Sequence, residues 1–146
     1  MKSDTEEKYL QQVNRVIDYI NSHLNEPLRV ETLAREVCLS EYHFHRIMRA
    51  YLHEPLATYI ARQRVERAVM YLQMKNIHLA QVAEMVGYET PQSLSKAFKQ
   101  FFGISPTAYR KRRAERYEEF STLKKESLKP EILTEPELKL VYIRII

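Results

Sequence analysis

Cysteine is nearly absent: Cys38 stands alone among 146 residues. An internal disulfide is therefore excluded, and a reducing, intracellular setting is expected. Glycine is almost as scarce, at Gly87 and Gly103 only, which leaves no glycine-rich loop to cradle a phosphate. No apolar run approaches the roughly 18 residues needed to cross a membrane, so no membrane partner is expected. The start, Met1 to Glu7, is polar and acidic and is not a secretory signal. Catalytic constellations are missing as well. His43 and His45 lie two apart in a helical stretch and point to nearly opposite sides, which is poor geometry for a metal. No Ser/His/Asp set or paired acidic motif stands out, so neither an enzyme nor a metal or cofactor site is expected.

What is present is helical periodicity. Apolar residues make up 45% of the chain, enough for a sizeable core. Leu10, Val13, Val16, Ile17, Ile20 and Leu24 recur at threes and fours, so a first amphipathic helix is expected up to about Asn25-Glu26-Pro27. Leu33, Ala34 and Val37 mark a short second helix. Ser40 caps a third, with Phe44, Ile47, Met48 and Tyr51 as its buried stripe. Pro55 opens a long fourth, burying Ile60, Val65, Ala68, Val69 and Leu72. Leu79 to Val86 forms a short fifth, stopped by Gly87. Thr90-Pro91 begins a sixth, with Leu94, Ala97, Phe98 and Phe101 facing inward, and Ser105-Pro106 begins a seventh.

The chain also repeats itself. At an offset of 50, Phe44, Ile47, Met48, Tyr51, Leu52 and Tyr59 match Leu94, Ala97, Phe98, Phe101, Phe102 and Tyr109; upstream the offset is 49, where Leu33-Ala34 matches Val82-Ala83. The second half thus carries one extra residue, within Glu89-Thr90. Each half reads as short helix, turn, capped helix, which is a helix-turn-helix whose second helix can enter a major groove. The expected fold is all-α: about seven helices in two helix-turn-helix subdomains joined by a long linker helix. Subdomain one covers about 9–53, the linker 55–74 and subdomain two 77–115. Charge agrees with a polyanionic partner. Ser40 to Arg116 holds 13 basic and 6 acidic residues, a net of +7 in a chain of net +4.

From about Val13 to Arg113 the chain resembles the DNA-binding domain of the AraC/XylS family of bacterial transcription regulators. The resemblance rests on Leu33-Ala34, Ser40, Phe44, Arg46, Tyr59-Ile60, Arg64-Val65, Ala68 and Leu72. In the second half it rests on Val82-Ala83, Gly87-Tyr88, Phe98-Lys99, Phe102-Gly103-Ile104-Ser105-Pro106 and Tyr109-Arg110. It implies a cytoplasmic protein that binds double-stranded DNA at an asymmetric site, and it favours an activator that contacts RNA polymerase.

The face of the third helix opposite its stripe presents Glu41, Tyr42, His45, Arg46 and Arg49. Arg46 can fork onto guanine, and His45 and Tyr42 can reach bases or phosphates. On the sixth helix Pro91, Gln92, Ser93, Ser95, Lys96 and Lys99 are presented, and Gln92 can pair with adenine. The resemblance places base contacts on Tyr42, His45, Arg46, Pro91, Gln92, Ser93, Ser95 and Lys96, although Pro91 offers no side-chain hydrogen bond. Arg49, Arg62, Lys99, Arg110, Lys111, Arg112 and Arg113 are candidates for phosphate contacts, as is Thr90 beyond its capping role. Arg64, on the linker helix, is expected to tie the subdomains together. Cys38 and His53 occupy turn positions where glycine is common, and Cys38 is expected to be a small packed residue. The competing reading is a helical protein-interaction adaptor, which explains the amphipathic helices but not the repeat or the basic reading faces.

Beyond residue 115 the texture changes. A charged helical linker is expected over 116–130. The run Leu138 to Ile146 is rich in β-branched residues and reads as one strand. With Glu135-Pro136-Glu137 before it, this segment resembles the first strand of a gyrase-inhibitor-like effector domain. The expectation is that 131–146 begins such a domain in truncated form, with a small-molecule effector only where the whole domain is present.

Overall fold

The computed structural model describes residues 3–74 and 76–126. Within them lie seven helices: α1 (Asp4–Ser22), α2 (Val30–Glu36), α3 (Glu41–Leu52), α4 (Leu56–Leu72), α5 (Leu79–Val86), α6 (Pro91–Phe102) and α7 (Pro106–Glu126). No strand occurs among the described residues. The lone strand and the effector segment expected at 131–146 lie outside them. The described residues are all-α, with two helix-turn-helix units on either side of one linking helix.

Helix α1 starts earlier than its apolar pattern suggests. Ser3 accepts a hydrogen bond from the Glu6 N–H (3.2 Å), and Asp4, Glu6 and Glu7 put negative charge at the positive end of the helix. The acidic start is therefore a capped first turn. Helix α4 begins one residue later than expected, because Pro55 adopts the extended cap conformation. Helix α7 runs unbroken past the boundary placed at 115/116, capped by Ser105 through the Ala108 N–H (3.1 Å) and anchored by buried Tyr109.

The buried side chains form two separate cores. One joins Val13, Ile17 and Ile20 of α1 to Leu33, Phe44, Met48 and, at the start of α4, Leu56 and Tyr59. The other joins Val65, Ala68, Val69 and Leu72 of α4 to Val82, Val86, Leu94, Phe98 and Tyr109. Phe44 in the first core and Phe98 in the second are both fully enclosed; each ring contributes roughly 2–3 kcal/mol by leaving water. Tyr51, Ala97 and Phe101, expected in the buried stripes, are only half-buried, and the Tyr51 hydroxyl donates to the Glu6 carbonyl (3.3 Å).

The turns repeat too. The Leu39 N–H returns to the Ala34 carbonyl (3.0 Å) as Tyr88 does to Ala83 (2.8 Å), and Cys38 (φ 58°) and Gly87 (φ 97°) supply the left-handed residue. After that residue the first unit needs one more residue to reach its cap, Ser40, and the second needs two to reach Thr90. The extra residue therefore sits at Tyr88-Glu89. At the ends of α3 and α6, His53 (φ 61°) and Gly103 (φ 77°) play the same part. Cys38 is exposed rather than packed, so its place is decided by the backbone turn. A side chain in the left-handed region costs about 1 kcal/mol. His53→Gly is therefore expected to raise the thermal midpoint by a few degrees, part of the gain being offset by the flexibility of glycine in the unfolded chain. A differential melting scan that shows no rise would contradict this.

Candidate nucleic-acid interface

Helices α3 and α6 each begin with a side-chain cap: Ser40 accepts from the His43 N–H (3.2 Å) and Thr90 from the Ser93 N–H (3.1 Å). Each also carries a buried stripe that fixes which face turns outward. On α3 that stripe is Phe44, Ile47, Met48 and Leu52, leaving Tyr42, His45, Arg46 and Arg49 exposed. His43 is half-buried, edge-on to the Tyr9 ring at 5.7 Å, so the two histidines do diverge. The Arg46 guanidinium lies 5.8 Å from the centre of the Tyr42 ring, which is 74% exposed. The two side chains form one cationic, aromatic unit on the outer face.

On α6 the stripe is Leu94 and Phe98. Gln92, Ser93, Lys96 and Lys99 are exposed, while Pro91 and Ser95 are half-buried. The Ser93 and Thr90 hydroxyls are 2.9 Å apart, so both belong to the helix cap. Lys111 and Arg112 are exposed on α7; Arg113 is half-buried beside Tyr109. Burial pushes the Tyr109 phenol up, and the Arg113 charge draws it back.

Two arginines grouped with the phosphate candidates have other tasks. Arg110 donates from Nε to the Leu72 carbonyl (3.3 Å) and from Nη1 to the Ile77 carbonyl (2.8 Å), closing the end of α4. Arg62 pairs with Glu54 and lies 5.9 Å from the Phe101 ring centre. Both guanidiniums meet protein acceptors: backbone carbonyls at and beyond the end of α4 for Arg110 and the Glu54 carboxylate for Arg62. Arg64 donates to the Leu24 and Glu26 carbonyls (3.2 and 3.1 Å) and lies 5.7 Å from the Tyr88 ring centre, so it touches both subdomains from the linking helix. Burial lowers its proton affinity and pushes the Tyr88 phenol up, each opposed by the charge of the other.

On this side of α4 a cleft of about 940 Å³ separates the subdomains, lined by Pro27, Leu28, Ile60, Arg64, Tyr88 and Pro91 among others. At its edge Gly87 passes close to the Leu24 carbonyl.

Glu66, also on α4, has its carboxyl pushed up to about 7, first by burial and then by the nearby Glu54, with Arg62 opposing. The folded pKa lies above that of the unfolded chain. The fold is therefore favoured below about pH 4.5 and loses that advantage as pH rises through about 7. Glu66→Gln is expected to melt higher than the parent at pH 8, with the difference vanishing near pH 4.5. A difference independent of pH would contradict the assignment.

Residues 33–112 match the model of a family described as a helix-turn-helix domain. Among curated relatives, the HTH-type transcriptional activator AarP of Providencia stuartii is 30% identical, over 67% of this chain and 73% of its own length. The chain belongs to the AraC-type helix-turn-helix family. It is thus a DNA-binding transcriptional regulator. The regulatory protein SoxS of Salmonella typhimurium is 28% identical, over 68% of this chain and 94% of its own. Some relatives are longer: the chain spans 47%, 36% and 32% of three of them. Among solved structures, the DNA-binding domain of AdpA in complex with a target DNA superposes with a TM-score of 0.68 at 30% identity, over 71% of this chain and 94% of that one. Among the described residues no helix is long and apolar enough to cross a membrane.

Proposed function

We propose that this AraC-type chain reads an asymmetric double-stranded DNA site with α3 and α6 in successive major grooves, and that it activates transcription. The observation that carries the reading is the pair of capped helices, each with a polar, basic face outward, mounted on one continuous α4. Tyr42, His45 and Arg46 read one segment. Pro91, Gln92, Ser93, Ser95 and Lys96 read the other, with Pro91 limited to van der Waals contact. Arg49, Lys99, Lys111, Arg112, Arg113 and the Thr90 hydroxyl meet phosphates, and the amides at the starts of α3 and α6 add donors. Support comes from AdpA, whose related domain is bound to a target DNA, and from AarP, which is named an activator. RNA polymerase is the partner that activation requires. A small-molecule effector belongs to the reading only where a full effector domain follows, and the working compartment is the cytoplasm.

Binding to a fluorescent duplex as a function of salt tests the reading. Five cations at phosphates give a log–log slope of roughly −4 to −5. A slope near zero would contradict the reading and favour a protein-interaction adaptor.

A further inference from the structure

We propose that Arg62 sets the spacing between the two reading helices, and that discrimination among sites by the distance between their two segments depends on it. The inference rests on the two-headed reading above.

Glu54 lies two residues beyond the end of α3, and Phe101 lies in the last turn of α6. The Arg62 guanidinium meets both, as an ion pair with Glu54 and over the face of the Phe101 ring. One group on α4 therefore holds the C-terminal ends of both reading helices. The two cores do not do this. The first reaches along α4 to Tyr59 and the partly buried Ile60, and the second begins at Val65. Between them α4 buries one polar side chain, Gln63.

Arg64 makes a different tie, from the loop after α1 to Tyr88 ahead of α6. Positions 62 and 64 project roughly 200° apart around a helix. The two arginines thus brace opposite sides of α4, and the side held by Arg64 is the side opened by the cleft. One brace alone would leave a hinge, whereas two fix the rotation of one subdomain against the other. That rotation matters for DNA. Adding a single base pair between two segments turns one against the other by about 34° and shifts it by about 3.4 Å. A braced protein cannot follow that change and a hinged one can.

The test uses the full chain and duplexes built from its selected site. These carry the native spacing, one base pair added, one removed, or a single segment alone. The parent is expected to lose about tenfold or more in affinity at either altered spacing. Arg62→Met is expected to lose less than about threefold, while binding the single segment within about twofold of the parent. Arg62→Lys keeps the charge on Glu54 but not the planar contact with Phe101, so it should recover part of the discrimination. An Arg62→Met protein as strict as the parent would overturn the proposal. Loss of affinity by the same factor for all four duplexes would overturn it as well, since that is general destabilisation. If Arg62→Met shows no thermal transition, Glu54→Gln reports on the same tie; relaxed spacing supports the proposal and unchanged spacing overturns it. A parent indifferent to spacing would instead remove the two-headed reading itself, and this inference with it.

Discussion

Gly87→Ala is expected to lower the thermal midpoint by more than 10 °C, against a few degrees for Gly103→Ala. Both glycines end a helix in the left-handed region, at φ 97° and 77°, where a side chain costs about 1–2 kcal/mol. Their surroundings separate them. A Cβ at Gly103 meets nothing within 4 Å, but a Cβ at Gly87 would sit 2.0 Å from the Leu24 carbonyl oxygen and 2.8 Å from the Arg64 Nε. The carbonyl is backbone and is held by Arg64, so relief requires the subdomains to separate. Conformational strain plus overpacking then amounts to about 4 kcal/mol or more, and each kcal/mol moves the midpoint by roughly 3–5 °C in a domain of this size. Circular-dichroism melts of the two variants decide the point. Equal shifts would mean that the closure of Gly87 on Leu24 is not tight in solution.

The second large effect belongs to Arg46. Arg46→Ala is expected to weaken binding to the selected site by about 5- to 150-fold, the range for one forked guanine contact, and to abolish preference at one base position only. Tyr42→Phe keeps the ring against the guanidinium and should bind nearly as the parent does. Tyr42→Ala removes it and should cost a smaller part of the affinity, since an exposed cation–ring contact is worth about 0.5–1 kcal/mol. Arg49→Ala should instead weaken all sequences alike, as a lost phosphate contact does. Anisotropy titrations against single-base variants of the site separate these patterns. A uniform loss for Arg46→Ala would assign it to the backbone.

The helices were legible because their apolar spacing, their caps and their two glycines agree. Ser40, Thr90 and Ser105 all cap, and Gly87 and Gly103 both stop helices. The outward faces followed from the buried stripes. The arginines were harder, because a cation's partner depends on which backbone carbonyls tertiary packing leaves exposed to it. The tie expected of Arg64 is present, but its carbonyl partners, like those of Arg110, lie at or beyond the end of an earlier helix and carry no sequence signal. At the repeat offset of 50, however, Arg64 would fall at position 114, one helical turn beyond Arg110. Alignment of the halves therefore could not pair them. Arg62 was hidden for a similar reason, as its partners Glu54 and Phe101 are 8 and 39 residues away. The raised Glu66 carboxyl depends on burial beside Glu54, which a surface-like pattern of charges along α4 does not reveal.

Two helices are proposed to read one site. Selection of binders from a random duplex library of about 30 base pairs, at physiological salt, tests it most directly. An asymmetric motif of two segments about one helical turn apart is expected, with Arg46→Ala removing the preference at one position of one segment and Gln92→Ala at one position of the other. Recovery of a single short segment, unaffected by Gln92→Ala, would contradict it.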